Sequence, residues 1–301
     1  MDRPTMAEDT IDMIEKSFGV HPGYRRAHSR GELYEAEFTP TGKAADWTTA
    51  PHFTGGTVRA AVRFSHFSPN PYWADDASPV KGMAVRFELP DGSHASIVSV
   101  TAPVFFAKTP GTFNEMVEIY RSFRNGRPHF GQLMKLFFRY PDSRAWLKVF
   151  RKMKAPASFA TSPYYAIHAF YFIDRHGRRQ PVKYEWEPNA GKDMLPHGGG
   201  EFGYFERELD RRLSQGPIGF RLFITIGGQG DPTDDPTKMW PKDRERIEIG
   251  QLIVKRRIGE PDPILFDPSE VTAGIEPSED PILQYRSPAY AVSYKRRVEE
   301  R

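Results

Sequence analysis

Near the C-terminal end of the chain, Arg286 and Tyr290 stand four residues apart, and Arg297 follows seven further on. On a helix those steps keep all three side chains on one face. A guanidinium is charged at any physiological pH and favours the ionised form of an acidic neighbour. A phenol between two such groups can act as an anionic metal ligand, and ferric haem is a metal group that accepts a tyrosine oxygen. The competing reading is a solvated basic tail with one packed tyrosine. Pro288 lies between Arg286 and Tyr290. A proline inside a helix removes an amide donor and crowds the preceding turn, so the helix is expected to break or shift there.

A second group of candidates lies far upstream. His28 sits among Arg25, Arg26 and Arg30. Nearby positive charge lowers a histidine's pKa, which would keep His28 neutral and able to accept a proton. Arg63 and Ser65 offer a guanidinium and a hydroxyl at a strand end, or simply an edge-strand arginine. Phe105, Phe106 and Phe113 form an apolar, ring-rich stretch that reads equally as core. Residues 234–241 read as a turn anchored by Trp240. There is no HExxH, P-loop or GxSxG pattern. The glycines at 198–203 do not make a dinucleotide fingerprint and read as a loop.

The elements that must position these groups follow from periodicity. Residues 9–18 read as a short helix with Ile11, Ile14 and Phe18 at helical spacing. Strands are expected over 33–38, 56–64, 82–89 and 95–106, punctuated by glycine and proline. Residues 112–153 change character and suggest helices at about 113–120, 130–138 and 143–153. Strands return at about 164–173, 181–187, 219–228 and 249–256, with a hairpin turn at 174–177, and the tail from 277 reads as helix. The two strand sets could close one antiparallel sheet. Residues 1–20 are expected to form an N-terminal helical segment and 21–301 a single domain.

Composition narrows the classes. With 301 residues, 39% hydrophobic and 27% charged, the chain fits a soluble globular protein. The net charge of +3 is a small difference between 42 basic and 39 acidic residues, without a basic block, so nucleic acid is not expected as a partner. No apolar run approaches membrane-spanning length. The first nineteen residues carry acids and no apolar h-region. Cysteine is absent, which excludes disulfides, thiolate metal sites and cysteine nucleophiles and points to the cytoplasm.

Taken in order, these segments resemble the haem catalase superfamily from about residue 21 to 298. Arg25, His28 and Gly31 fit its R-x-x-H-x-x-G segment, and residues 62–65 its V-R-F-S strand. Residues 81–87 are similar to R-G-x-A-x-K-F, 101–106 to N-T-P-x-F-F, 235–241 to D-x-T-K-x-W-P and 249–256 to V-G-x-L-x-L-N-R. Residues 278–290 resemble the proximal S-P-D-x-x-L-Q-x-R-x-x-x-Y segment. The chain is short for a catalase and looks most like the small catalase-related peroxidases. The resemblance implies an α+β fold, an antiparallel β-barrel with flanking helices, and haem b as cofactor. It implies Tyr290 as the iron ligand, held as phenolate by Arg286. Arg25, Arg63 and Arg297 would face the propionates. His28 would be the distal acid–base group, oriented by Ser65. Phe113 would pack by the porphyrin with Phe105 behind it.

One departure matters. The family's G-N-N-T-P segment places an asparagine amide over the iron, and the aligned positions here are Val100 and Thr101. The expected activity is therefore a haem peroxidase that reduces hydrogen or organic peroxides at the expense of a small organic donor, with weak or absent catalase turnover. Rearrangement of a fatty hydroperoxide, and non-catalytic haem binding, are the alternatives. The electron donor and any self-assembly stay open.

Overall fold

Residues 31–40 alternate between core and outward positions, and this alternation builds the first strand, β1 (Gly31–Pro40). The computed structural model describes residues 4–77, 79–121, 131, 138–195, 201–259 and 264–300. Nine more strands follow among them: β2 (Val58–His66), β3 (Lys81–Glu88), β4 (His94–Val100), β5 (Tyr164–Tyr165), β6 (Phe170–Ile173), β7 (Arg179–Pro188), β8 (Ile218–Ile226), β9 (Arg246–Arg257) and β10 (Ile275–Pro277). Their order is β10-β6-β7-β5-β4-β3-β2-β1-β9-β8, and a further β7–β8 pairing closes eight of them into a barrel. Closure removes the exposed edges that an open sheet would present. The fold is thus the antiparallel barrel with flanking helices that the resemblance implies.

The barrel interior is ring-rich. Phe38 meets Phe87 at 5.1 Å and Trp186 at 6.1 Å, and all three are fully buried. Each such burial stabilises the fold by about 1.5–3 kcal/mol. Paired residues of an antiparallel sheet share a face. Val62, Phe64, Met83 and Val85 therefore point inward together, while Arg63, Ser65, Gly82 and Ala84 point outward.

Six α-helices accompany the barrel among the described residues. They are α1 (Pro4–Phe18), the single turn α2 (Pro51–Thr54), α3 (Pro110–Arg121), α4 (Arg144–Lys152), α5 (Tyr204–Gln215) and α6 (Pro281–Glu299). Ile11 and Ile14 of α1 pack with Phe113 and Val117 of α3 and Val292 of α6.

Several expectations shift. The first helix begins earlier, at Pro4. The strand expected over 95–106 stops at Val100, because residues 101–106 bend away and Phe105 bonds to Pro236 instead of a strand partner. The 164–173 strand divides into β5 and β6. Helix α5 was not read from the pattern at all. Most of the 130–138 helix, and residues 198–200 of the glycine loop, lie outside the described residues.

Candidate active site

His28 reaches the barrel's outer face through an unusual backbone. Its φ is 51°, the one positive value at a non-glycine residue among those described. Such conformations cost energy and concentrate where function over-determines the structure. The turn carries the ring onto β2 and β3, where Nδ1 lies 3.0 Å from Ser65 Oγ. Pairing places Gly31, Ser65, Gly82 and Val100 in one outward row across four strands. Gly82 is the floor beneath the ring. A Cβ there would stand 2.6 Å from His28 Nδ1 and 2.7 Å from Ser65 Oγ, so only glycine leaves the pair intact. Phe67 closes on the ring edge-on at 5.3 Å, and Arg63 donates to the backbone carbonyls of His28 and Ser29 at 3.0 and 3.3 Å.

The ring keeps some open surface but lies deep in the protein. Burial, then the positive charge of Arg63, Arg286, His66 and Arg25, pushes the His28 pKa down to about 3. The imidazole is therefore neutral at physiological pH. The expected direction holds, but the principal cause is burial. Of the three adjoining arginines Arg25 contributes, whereas Arg26 pairs with Glu15 and Glu300 and Arg30 with Asp75.

The opposite wall comes from α6. Asp280 caps it, accepting from the backbone N–H groups of Ile282 at 2.8 Å and Leu283 at 3.4 Å, with Pro281 at the first helical position. Arg286 donates to the Tyr290 hydroxyl through one guanidinium nitrogen and meets His168 Nε2 through the other, at 3.0 Å. His168 Nδ1 lies 2.6 Å from Asp280 Oδ2. Asp280, His168, Arg286 and Tyr290 thus form one hydrogen-bonded line. Burial lowers the His168 pKa against the raising effect of Asp280. A neutral ring donating from Nδ1 and accepting at Nε2 satisfies both partners.

The expected break at Pro288 does not occur, and α6 runs unbroken through it. A single missing amide donor is outweighed by tethers in the turns that precede it. Ser287 donates to Asp267 at 2.5 Å, Tyr285 donates to the Met6 carbonyl at 2.8 Å, and Ile282 and Leu283 are buried.

Arg25, Arg63 and Arg297 converge on a cavity of about 110 Å³, bordered by Tyr24 and Gly31. Arg25 and Arg297 both donate to the Ile264 carbonyl, at 2.9 and 3.4 Å. Guanidinium groups so placed suit ligand carboxylates. Phe105 and Phe113 stack 6.1 Å apart with planes 11° from parallel. The 234–241 turn anchors Phe105, whose N donates to the Pro236 carbonyl at 2.8 Å, and Trp240 Nε1 donates to the Pro232 carbonyl at 2.8 Å. A flat macrocycle with carboxylate arms and a metal that accepts a phenol oxygen fits this donor set.

Val100 lies opposite Gly82 in the outward row, so an aliphatic side chain stands where an amide was expected in the family. The Thr101 hydroxyl accepts from Lys81 N at 3.1 Å.

Sequence reasoning missed His168, which lies 118 positions from Arg286 with no motif to link them. Asp280 was missed as well, although a residue just before a proline that opens a helix is a signal for a cap. So was a buried network behind the His28 row. His66 Nε2 meets Glu206 at 3.0 Å, Lys81 Nζ meets His66 Nδ1 at 3.2 Å, and Arg30 pairs with Asp75. His66, Asp75 and Glu206 have metal-ligand spacing, but Arg30 already pairs with both carboxylates.

Comparison with known proteins agrees with this geometry. The family model "Catalase" matches residues 21–203 and 229–300. A "Catalase-related peroxidase" of Mycolicibacterium paratuberculosis is 35% identical over 97% of this chain and 94% of its own. Another, from Synechococcus elongatus, is 30% identical over 97% and 88%. "Catalase isozyme 1" of Nicotiana tabacum is 26% identical, and the match spans 91% of this chain but 60% of the tobacco protein. A solved bacterial catalase superposes with a TM-score of 0.79 at 25% identity, covering 91% of this chain and 57% of that one.

Proposed function

We propose that this chain, which belongs to the catalase family, is a haem peroxidase in which His28 moves the peroxide proton and Tyr290 holds the iron. The carrying observation is the pairing of a neutral, Ser65-held imidazole with a phenol fixed by Arg286. With Nδ1 engaged, Nε2 is the ring atom left to take a proton from one peroxide oxygen and return it to the other. Haem held here by Tyr290 would supply the redox chemistry for O–O cleavage, which an anionic tyrosine ligand favours. Arg286 donates into the phenol oxygen and so stabilises negative charge on it, and His168 and Asp280 fix the guanidinium. Arg25, Arg63 and Arg297 would hold the propionates, and Phe113, backed by Phe105, would pack against the ring.

Haem b is the form this reading assigns, hydrogen peroxide or a small organic peroxide the substrate, and a small organic molecule the donor. A chain without cysteine fits action in the reducing cytoplasm. Val100 argues that peroxidase turnover exceeds catalase turnover, since no distal amide is present to hold a second peroxide. No observation favours fatty hydroperoxide rearrangement, and a carrier would need no acid–base residue at His28. The test is direct. The purified protein should show a haem spectrum and oxidise a dye with hydrogen or organic peroxides faster than it releases oxygen. Oxygen release outpacing dye oxidation would overturn the Val100 argument, and wild-type dye oxidation by His28→Ala would overturn the role of His28.

A further inference from the structure

The outward row that carries the active site does not end at Val100. Val100 pairs directly with Tyr165 of β5, so the two side chains share the face on which His28 sits. At about 4.8 Å per strand, Tyr165 stands roughly 10 Å along the row from Gly82. There a groove of about 360 Å³ opens, a size that holds a small molecule. Thr101, Pro103 and Tyr165 form its inner end, Met153 and Met194 add apolar surface, and Lys152, Lys154 and Lys192 stand at its exposed rim. Its walls are stitched together by backbone bonds. Ala157 N donates to the Asp193 carbonyl at 2.9 Å, Leu195 N to the Ala155 carbonyl at 2.9 Å, and Asp193 N to the Thr161 carbonyl at 3.1 Å. No acidic residue is among the described residues lining it.

We infer that this groove binds the electron donor, and that the donor is an aromatic reductant bearing a carboxylate, such as a phenolic acid. The inference rests on the peroxidase reading and names its missing substrate class. Three lysines over an apolar floor, with no carboxylate among them, complement an anion with a flat apolar body. Neither His28 nor Val100 lines the groove, so an occupant does not reach the proton-transfer atoms. That geometry suits a molecule that gives up an electron and not one whose O–O bond must be broken. Each phenolic donor loses one electron and its hydroxyl proton and leaves as a phenoxyl radical. Two donors thereby supply the two electrons and two protons that turn one hydrogen peroxide into two waters. Tyr165 stands between the groove and Val100 and orients the donor ring by aromatic contact.

The test compares ferulate with its neutral analogue coniferyl alcohol on the haem-loaded protein. Isothermal titration should show ferulate binding. The exposed Lys152→Gln/Lys192→Gln double variant should bind it about 10-fold more weakly at low ionic strength, about 3-fold for each surface charge pair lost. That difference should shrink as salt approaches 1 M. The ratio of KM for ferulate to KM for coniferyl alcohol should rise by the same factor, and Lys→Arg replacements should restore it. Ferulate binding that is unchanged in the double variant, or independent of salt, would overturn the assignment. Lysine-dependent binding in a protein that consumes no peroxide would instead refute the peroxidase reading and leave the anion groove standing.

Discussion

Replacing Gly82 by alanine tests the active-site geometry most sharply. The new methyl would lie 2.6 Å from His28 Nδ1 and 2.7 Å from both His28 Cε1 and Ser65 Oγ, whereas ordinary contact begins at 3.4 Å. The ring must therefore retreat by roughly 0.8 Å, or the serine must turn away, and either movement breaks their 3.0 Å contact. Overpacking of this kind costs about 1–3 kcal/mol of stability, which the protein should survive. Activity should suffer more, because a catalytic group displaced by about 1 Å loses about 100-fold in rate. Stopped-flow measurement of peroxide consumption, alongside urea unfolding, separates the two effects. Gly56→Ala is the control, since nothing lies within 4 Å of its added carbon. A wild-type peroxide rate in Gly82→Ala would refute the reasoning. So would a full 100-fold loss on adding Gly82→Ala to a His28→Ala background, because the glycine is argued to act through that ring and the two changes should not add.

Other expectations follow from the same geometry. His28→Ala should slow the peroxide step by about 100-fold or more, read by the same stopped-flow assay. With the His28 pKa at about 3, that step should stay flat as pH falls from 7 to about 4, where a histidine at its ordinary value would already have lost most of its basic form. Stability behaves differently. The unfolded chain takes up protons at His28 and His52 below about pH 6.5, while both are held to about 3 in the fold. Each should therefore cost about 1.4 kcal/mol per pH unit across that window, so stability falls on acidification and urea midpoints should follow. Asp280→Ala removes a helix cap and strands the buried His168, which should destabilise the protein by roughly 2–4 kcal/mol in urea titration. Tyr290→Phe should abolish the tyrosinate signature in the haem spectrum while leaving the fold intact.

The local parts of this protein were written in its sequence. Alternation of apolar residues announced β1 and β3, helical spacing announced α1 and α6, and Arg286 and Tyr290 bond at i, i+4 as their spacing requires. These are short-range consequences of side-chain period and backbone geometry. What the sequence left dark is long-range. The contact of His28 with Ser65 was expected only from the family resemblance and not from local pattern, because it depends on a positive φ and on the β2–β3 register. The line from Asp280 through His168 to Arg286 joins residues more than a hundred positions apart. Helix α5 escaped notice because half of its residues are charged, and it is held by the burial of Phe205 and Leu209 against the barrel. Pro288 misled because local propensity was judged without the tethers on Ser287 and Tyr285 that hold its helix straight through. The sequence by itself determined which residues could carry acid–base and metal chemistry. Only barrel closure decided which of them meet, because pairing register and burial depth are properties of the assembled sheet and of no single segment.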